Sequence, residues 1–213
     1  MKYPHTSYFK FSPSVDKEDV RESGYFNINN FINKDIIFTT KMDGSNCVMT
    51  SKHIAARNGK TADHSSFDYA KVLHSQIHTL IPENHHVFGE WLYAKHNIWY
   101  DNLDDYYQVF AIYNEEKQTW LCWQDVIEIA GQLGLVTVEY SKIYNINDIK
   151  TLKDTIIDYA EQKITNGHEG IVVRTKEAFK DFDNNVAKYV RRNHVQTDEH
   201  WSKQKIIRNI LKL

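Results

Sequence analysis

A single lysine stands in a short turn-forming run between two apolar stretches, Lys41-Met42-Asp43-Gly44. Glycine at the end of this run supplies the backbone freedom that a tight turn requires. A lysine amine has an unperturbed pKa of ~10.4, so it is a nucleophile at neutral pH only where desolvation or nearby positive charge favours its neutral form. The run predicts a nucleophilic lysine. Because Asp-Gly is also common in hairpin turns, an ordinary surface turn is the alternative.

Two carboxylates stand at the ends of apolar segments further along the chain. Glu90 follows Phe88-Gly89, and Glu169 precedes Gly170 and a β-branched run. A carboxylate at the end of a strand can accept hydrogen bonds from ribose hydroxyls, which is the interpretation for Glu90. Glu169 is placed where a hard cation such as Mg²⁺ can use a carboxylate oxygen. The alternative for both residues is an acid on a solvent-exposed edge or loop.

A second lysine lies inside an apolar segment, Val186-Ala187-Lys188-Tyr189-Val190. If this segment is a strand, Lys188 and Val190 share one face and Tyr189 lies on the other. A lysine among apolar neighbours is costly unless it meets an anion, and a phosphate would meet that need. The alternative is an edge lysine that opposes sheet aggregation.

Hydrophobic periodicity predicts the elements that must position these residues. The strands are expected at 35–40, 46–50, 53–56, 87–92, 107–113, 120–121, 171–174 and 186–190. The helices are expected at 66–80, at 125–133 ending at Gly134, at 147–164 with Asn147 as N-cap, and at 199–213 as a basic amphipathic tail. Strands outnumber helices and short loops join many of them, which predicts a mixed α+β fold with antiparallel sheets.

The order of these motifs resembles that of the covalent nucleotidyltransferase superfamily over residues 35–192. Lys-x-Asp-Gly is followed by Arg-Asn-Gly, Gly-Glu, Glu-Gly-x-Val and a lysine-bearing strand. Within the superfamily the runs 88–98 and 188–201 are similar to the RNA ligase family, as is Asn46 after Gly44-Ser45. The resemblance implies a nucleotidyltransferase (ATP-grasp-like ligase) domain of two antiparallel sheets flanked by helices, with ATP between the sheets and no OB domain. It implies one adenylyltransferase domain over 1–213, with an N-terminal extension (1–34), a catalytic core (35–192) and a basic helical tail (193–213).

The resemblance also implies an activity, the sealing of RNA 5′-phosphate and 3′-hydroxyl ends with ATP and Mg²⁺ or Mn²⁺. Lys41 would take up AMP, Glu169 would bind the metal ion, and Lys188 would neutralise the α-phosphate. The other implied contacts are Thr40, Arg57, Glu90 and Phe110 to the nucleotide, and Asn46, Arg191 and Arg192 to RNA.

Two positions depart from the family pattern. Ala111 follows Phe110 where an acidic residue is frequent, and Val190 stands where a second lysine is frequent. Arg191 is the neighbouring candidate for the missing charge, although in a regular strand it would face the other way.

Composition excludes several classes. The formal net charge is −2, so any basic surface for nucleic acid must be local. Two distant cysteines indicate no disulfide framework and favour a reducing cytoplasm. The chain begins without an apolar signal-peptide segment and contains no apolar run of the ~18 residues that spanning a bilayer requires.

Other functions stay open on the sequence alone. They are a DNA nick ligase, a GTP-dependent capping-type nucleotidyltransferase, and a non-catalytic subunit that binds RNA ends for repair. An RNA ligase of this kind is expected to act with an end-healing kinase or phosphatase.

Overall fold

The computed structural model describes residues 1–15, 20, 24–57, 62–192 and 205–212. These residues form two compact units. Unit 1 contains residues 1–3 and 43–138 together with the described C-terminal residues 205–212. Unit 2 contains the described residues of 4–42 and 139–192.

Within the described ranges the chain forms twelve strands and three α-helices. The strands are β1 (Ser7–Phe9), β2 (Tyr25–Phe26), β3 (Asp35–Lys41), β4 (Ser45–Met49), β5 (Ile54–Ala56), β6 (His85–Trp91), β7 (Tyr107–Asn114), β8 (Thr119–Trp120), β9 (Val136–Thr137), β10 (Tyr144–Asn145), β11 (Gly170–Thr175) and β12 (Val186–Val190). The helices are α1 (Asp68–Ile77), α2 (Trp123–Gln132) and α3 (Ile149–Thr165), and short 3₁₀ helices occupy Ile28–Phe31, Ser65–Phe67 and His78–Leu80.

Unit 2 is built on a sheet with the strand order β10-β3-β11-β12-β1-β2. The first four strands pair antiparallel, and β1 pairs parallel with both β12 and β2. One face of the sheet buries a core that includes α3, with Phe38 from β3, Ile171 from β11 and Tyr189 from β12 among its members. Because side chains alternate along a strand, the opposite face carries the residues between them. Lys41, Val172 and Lys188 lie on that opposite face.

Unit 1 is built on a second sheet with the order β5-β4-β6-β7-β8, and β9 pairs parallel with β7. The β6–β7 register shifts between Phe88 and Gly89, so Phe110 is an extra residue on β7. Such a bulge bends the strand and redirects the neighbouring side chains.

The predicted α+β fold of two sheets is confirmed, and most predicted strands and helices occur within one or two residues of their expected bounds. The parallel edge pairs were not expected. Helix α3 is capped by Asp148 and not by Asn147, because the Asp148 carboxylate accepts a 2.7 Å hydrogen bond from the amide of Thr151.

The predicted tail helix over 199–213 is wrong for residues 205–212, and its earlier part lies outside the described residues. This segment is extended, and isolated bridges join Arg208 to Ala94 and Leu211 to Leu103. Hydrogen bonds to other segments of unit 1 therefore override an amphipathic pattern that favours a helix.

The helices of the described residues include none that is both long and apolar enough to cross a membrane.

Candidate active site

Lys41 and Glu169 form an ion pair in unit 2, with 2.6 Å between Nζ and a carboxylate oxygen. Lys41 is the last residue of β3, and the antiparallel register places it opposite Gly170, the first residue of β11. Glu169 immediately precedes that strand, so the pairing brings the two side chains together. The Glu169 side chain is 9% exposed and that of Lys41 is 26% exposed. A partly buried amine thus lies beside a nearly buried carboxylate.

Gly170 permits this arrangement by its lack of a side chain. A Cβ at this position would lie 2.0 Å from the carbonyl oxygen of Tyr189 in β12, and the backbone has φ of +154°. Next to this contact the carbonyl of Glu169 accepts a 2.9 Å hydrogen bond from the amide of Arg191. The Glu-Gly pair in the sequence therefore reflects a close approach of two strands at the position of the carboxylate.

Lys188 shares the sheet face of Lys41. It lies opposite Val172 of β11, which in turn lies opposite Thr39 of β3. Two strand spacings and one two-residue step separate the two lysines, roughly 12 Å between Cα atoms. Lys188 is 7% exposed, and its ammonium lies 4.1 Å from the centroid of the Tyr8 ring. Two flexible cations on one face are suited to an anionic group such as a phosphate.

Thr40 points to the other side of β3. Its amide donates to the carbonyl of Glu139 at 2.8 Å, and its hydroxyl lies 3.4 Å from the Glu139 carboxylate. The same carboxylate pairs with Lys163 of α3 at 2.5 Å. The Thr40 side chain thus secures the strand that carries Lys41.

In unit 1 the residues after Lys41 are fixed by hydrogen bonds. The carboxylate of Asp43 accepts from the amides of Asn97 and Ile98 at 2.8 and 2.7 Å. The amide of Asp43 donates to the hydroxyl of Tyr100 at 3.0 Å. In the sequence, Asp43 is part of the Lys-x-Asp-Gly motif but has no assigned role, and no pattern links it to Tyr100. The signal that could have found this role is the short acceptor side chain, which is typical of residues that bind loop amides.

Glu90 lies at the same loop. Its carboxylate accepts a 3.0 Å hydrogen bond from the amide of Gly44, and a Cβ on Gly44 would lie 2.6 Å from the carbonyl oxygen of Trp91. In the β4–β6 pair Glu90 is directly opposite Asn46, so the two side chains share a face. The Oδ1 atom of Asn46 is buried and has no hydrogen-bond partner among the described residues. A polar atom of this kind is suited to a ligand.

Phe110 lies on the β7 bulge and packs edge-on against Tyr3, with 5.1 Å between ring centroids. The Tyr3 ring also contacts Phe88 at 5.2 Å and Trp120 at 5.4 Å. Phe110 thus belongs to an aromatic cluster that includes the N-terminal residue Tyr3, and it is half-buried.

Three predicted arginines follow strand ends. Arg57 comes directly after β5 and is exposed, and Arg192 is exposed two residues after β12. Arg191 is half-buried, and its Nε atom has no hydrogen-bond partner among the described residues. Each arginine therefore lies at or just after a strand end.

The structure tests whether these residues fit a divalent cation. Within the described ranges no three His, Cys, Asp or Glu side chains cluster as a metal site does. Mg²⁺ is commonly held by one or two carboxylates together with substrate phosphates and water, so a single carboxylate such as Glu169 fits that mode of binding.

The chain belongs to the RNA ligase family, which matches residues 34–190. No curated protein sequence matches the chain significantly.

Solved structures of low sequence identity share the fold. An archaeal ATP-dependent RNA ligase (form 2) superposes with a TM-score of 0.58 at 15% identity, over 76% of this chain and 44% of that one. A mutant of Naegleria gruberi RNA ligase with ATP and Mn has a TM-score of 0.57 at 16% identity, over 92% of this chain and 62% of that one. The Naegleria gruberi RNA ligase with PPi has a TM-score of 0.55 at 16% identity. This chain spans less than two thirds of these structures.

Proposed function

We propose that this chain is an ATP-dependent RNA ligase that joins 5′-phosphate and 3′-hydroxyl ends through a covalent Lys41–AMP intermediate. The observation that carries the proposal is the Lys41–Glu169 pair of 2.6 Å, with Lys188 on the same sheet face. Family membership and the ligase structures of the same fold support it.

The first chemical step is the attack of the neutral Lys41 amine on the α-phosphorus of ATP. A nitrogen–phosphorus bond forms, the bond to the bridging oxygen breaks, pyrophosphate leaves, and the nitrogen gives up one proton to solvent. Hydrogen bonding to Glu169 favours the ammonium form, which has no lone pair for the attack. We infer that Glu169 holds Lys41 in place before the nucleotide binds, and that the amine must give up one proton before the attack.

The divalent cation, Mg²⁺ or Mn²⁺, neutralises phosphate charge when it is bound, and Glu169 is the residue that would hold it. Lys188 supplies a second positive charge for the α-phosphate. Phosphoryl transfer depends more on positioning and charge than on acid–base chemistry, so a nucleophilic lysine, a carboxylate and a second lysine are sufficient groups.

Two further steps complete the sealing. An oxygen of the RNA 5′-phosphate attacks the phosphorus of Lys41–AMP, which forms AMP-capped RNA and returns the amine. The RNA 3′-hydroxyl then attacks the capped 5′-phosphate, and AMP leaves. We propose that Asn46, Arg191 and Arg192 contact RNA in these steps. The unpartnered buried atoms of Asn46 and Arg191 support this assignment.

The nucleoside contacts are assigned to residues of unit 1. Glu90 would bind the ribose hydroxyls beside its hydrogen bond to the amide of Gly44. Phe110 would stack on adenine and Arg57 would contact ribose or phosphate. In unit 2, Thr40 would contact the nucleotide, and its side chain is bonded to Glu139.

The setting of the reaction is also a proposal. Cys47 and Cys122 are free thiols, which is consistent with a reducing cytoplasm. An end-healing kinase or phosphatase is the class of partner that would supply 5′-phosphate and 3′-hydroxyl ends.

The test is covalent labelling with ATP that carries a radiolabelled α-phosphate, in the presence of Mg²⁺ or Mn²⁺. Wild-type protein should retain the label after denaturation, and Lys41→Arg should retain none, because the guanidinium keeps the charge but is not a nucleophile. Lys163→Arg is the matched control, since Lys163 also pairs with a glutamate in unit 2 and should leave labelling intact.

Other outcomes point to the alternative functions. Labelling by GTP in place of ATP indicates capping-type chemistry, and sealing of DNA nicks alone indicates a DNA ligase. If wild-type protein takes no label, and RNA binding is the same in wild type and Lys41→Arg, the chain is a non-catalytic subunit and the proposal is contradicted.

A further inference from the structure

Asn209 lies in the C-terminal segment and is fully buried, with 0% of its surface exposed. Its side-chain oxygen accepts from the amide of Tyr100 at 2.9 Å, and its side-chain nitrogen donates to the carbonyl of Leu92 at 2.8 Å. Its own amide donates to the carbonyl of Tyr93 at 3.0 Å, and its carbonyl accepts from the Tyr106 hydroxyl at 2.8 Å. A buried amide with these hydrogen bonds fixes the segments that it joins.

Tyr100 is the link between this amide and the lysine loop. Its backbone is held by Asn209, and its hydroxyl accepts the hydrogen bond from the amide of Asp43 at 3.0 Å. Tyr100 is 8% exposed and Asp43 is 9% exposed, so both groups of this bond are shielded from water. An amide left without this acceptor would lose about 1–3 kcal/mol of stabilisation.

The hydrogen bonds close a ring around the backbone of Asp43. The carboxylate of Asp43 accepts from the amides of Asn97 and Ile98, which lie in the same loop as Tyr100. The amide of the next residue, Gly44, is bound by Glu90 at 3.0 Å. Two successive amides and one carboxylate are thereby held in one geometry.

Lys41 stands only two residues before Asp43 in the chain. A shift of ~1 Å in a reacting group can reduce a rate by about 10²-fold. A fixed backbone at Asp43 restricts the positions that a nucleophile at residue 41 can take.

We propose that Tyr100 and Asn209 are positioning residues for the adenylation of Lys41, acting through the backbone of Asp43. This inference rests on the proposed function. The described C-terminal segment then contributes to adenylation through Asn209.

The test compares two tyrosine variants that each lose one hydroxyl bonded to the same buried region. Tyr100→Phe removes the acceptor for Asp43, and Tyr106→Phe removes the donor to the Asn209 carbonyl. The rate of adenylate formation at saturating ATP should fall about 10–100-fold in Tyr100→Phe with little change in the KM for ATP. The adenylation rate of Tyr106→Phe should stay within about 3-fold of wild type, although its thermal unfolding midpoint should fall as much as that of Tyr100→Phe.

Hydrogen exchange at residues 42–46 gives a second readout that does not depend on activity. Exchange of the Asp43 amide should accelerate in Tyr100→Phe and not in Tyr106→Phe. If wild type is labelled and the two variants have equal adenylation rates, the inference is wrong and the proposed function stands. A wild type without label contradicts the proposed function and this role with it, whereas the exchange data still report whether the ring of hydrogen bonds exists.

Asn209→Ala extends the test to the C-terminal segment. It should lower the adenylation rate together with stability, because it removes the bonds to Tyr100 and Leu92 at once. The Tyr100→Phe comparison decides the inference even where Asn209→Ala does not fold.

Discussion

Tyr8 and Lys188 are paired twice, once through the parallel register of β1 and β12 and once through their side chains. The ammonium lies 4.1 Å from the ring centroid, and Tyr8 is 2% exposed. A cation held over a buried aromatic face is stabilised by up to about 2 kcal/mol. The N-terminal strand thus supplies a support for a lysine that lies about 180 residues later in the chain.

We expect Tyr8→Leu to lower the adenylation rate about 3–30-fold, because the ammonium of Lys188 loses the ring face that holds it. Tyr8→Phe keeps that face and should retain the wild-type rate. Single-turnover labelling of both variants at saturating ATP measures the effect. Equal loss in the two variants would assign the role to the tyrosine hydroxyl and contradict the ring–ammonium contact.

Glu169→Gln should reduce adenylation about 10²-fold and raise the Mn²⁺ concentration needed for half-maximal labelling, since the amide keeps the shape but not the charge. Glu139→Gln is the matched control, because Glu139 is also paired with a lysine in unit 2. A metal titration of both variants provides the measurement. A metal requirement that is unchanged in Glu169→Gln would remove this residue from the metal site.

Gly170→Ala should destabilise the protein by about 2 kcal/mol or more, because the added Cβ would lie 2.0 Å from a backbone oxygen of Tyr189. Urea unfolding measures the change. Gly131→Ala is the control, as nothing lies within 4 Å of a Cβ at this position in α2, and alanine there should stabilise by about 0.5–1 kcal/mol. Similar effects of the two substitutions would argue against the strand contact.

His86 makes the stability of the protein depend on pH. Its pKa is lowered mainly by burial, with smaller lowering contributions from the N-terminus and His53, while Glu115 at 3.1 Å raises it. The unfolded chain therefore binds a proton more readily than the folded chain below about pH 6.5. This contribution to stability is present above that pH and is lost as the pH falls toward the folded pKa.

The thermal unfolding midpoint of wild type should therefore drop more between about pH 7.5 and about pH 5.5 than that of His86→Gln. His85→Gln changes the neighbouring residue on the opposite strand face and should behave as wild type. If His86→Gln retains the full pH dependence, another group is responsible for it.

Much of the fold was predictable because its longer elements carry clear periodicity. Strand β3, strand β12 and helix α3 are long enough for alternating or helical spacing to identify them, and they carry or support Lys41 and Lys188. Strands β1, β2, β9 and β10 have two or three residues each, which is too short for such a pattern. Their existence depends on partners distant in the chain, as in the pairing of Tyr8 with Lys188.

For the candidate site, the motif order in the sequence singled out Lys41, Glu169 and Lys188. The structure places Lys41 and Lys188 on one sheet of unit 2, with Glu169 directly before one of its strands. The roles of Tyr100 and Asn209 arise from buried hydrogen bonds between segments that are over 100 residues apart. Such bonds leave no periodic trace in a sequence. The extended C-terminal segment was missed for the same reason, since its apolar spacing suits a helix as well.

The pairing of β1 with β12 has a consequence for biosynthesis. Residues 7–9 are synthesised about 180 residues before their partner strand at 186–190. The strands of residues 43–138 form their own sheet and can pair before then. On the nascent chain β1 can pair with β2 early, whereas its pairing with β12 must wait until that strand is made, so late closure of this long-range pair makes slow maturation the expected behaviour.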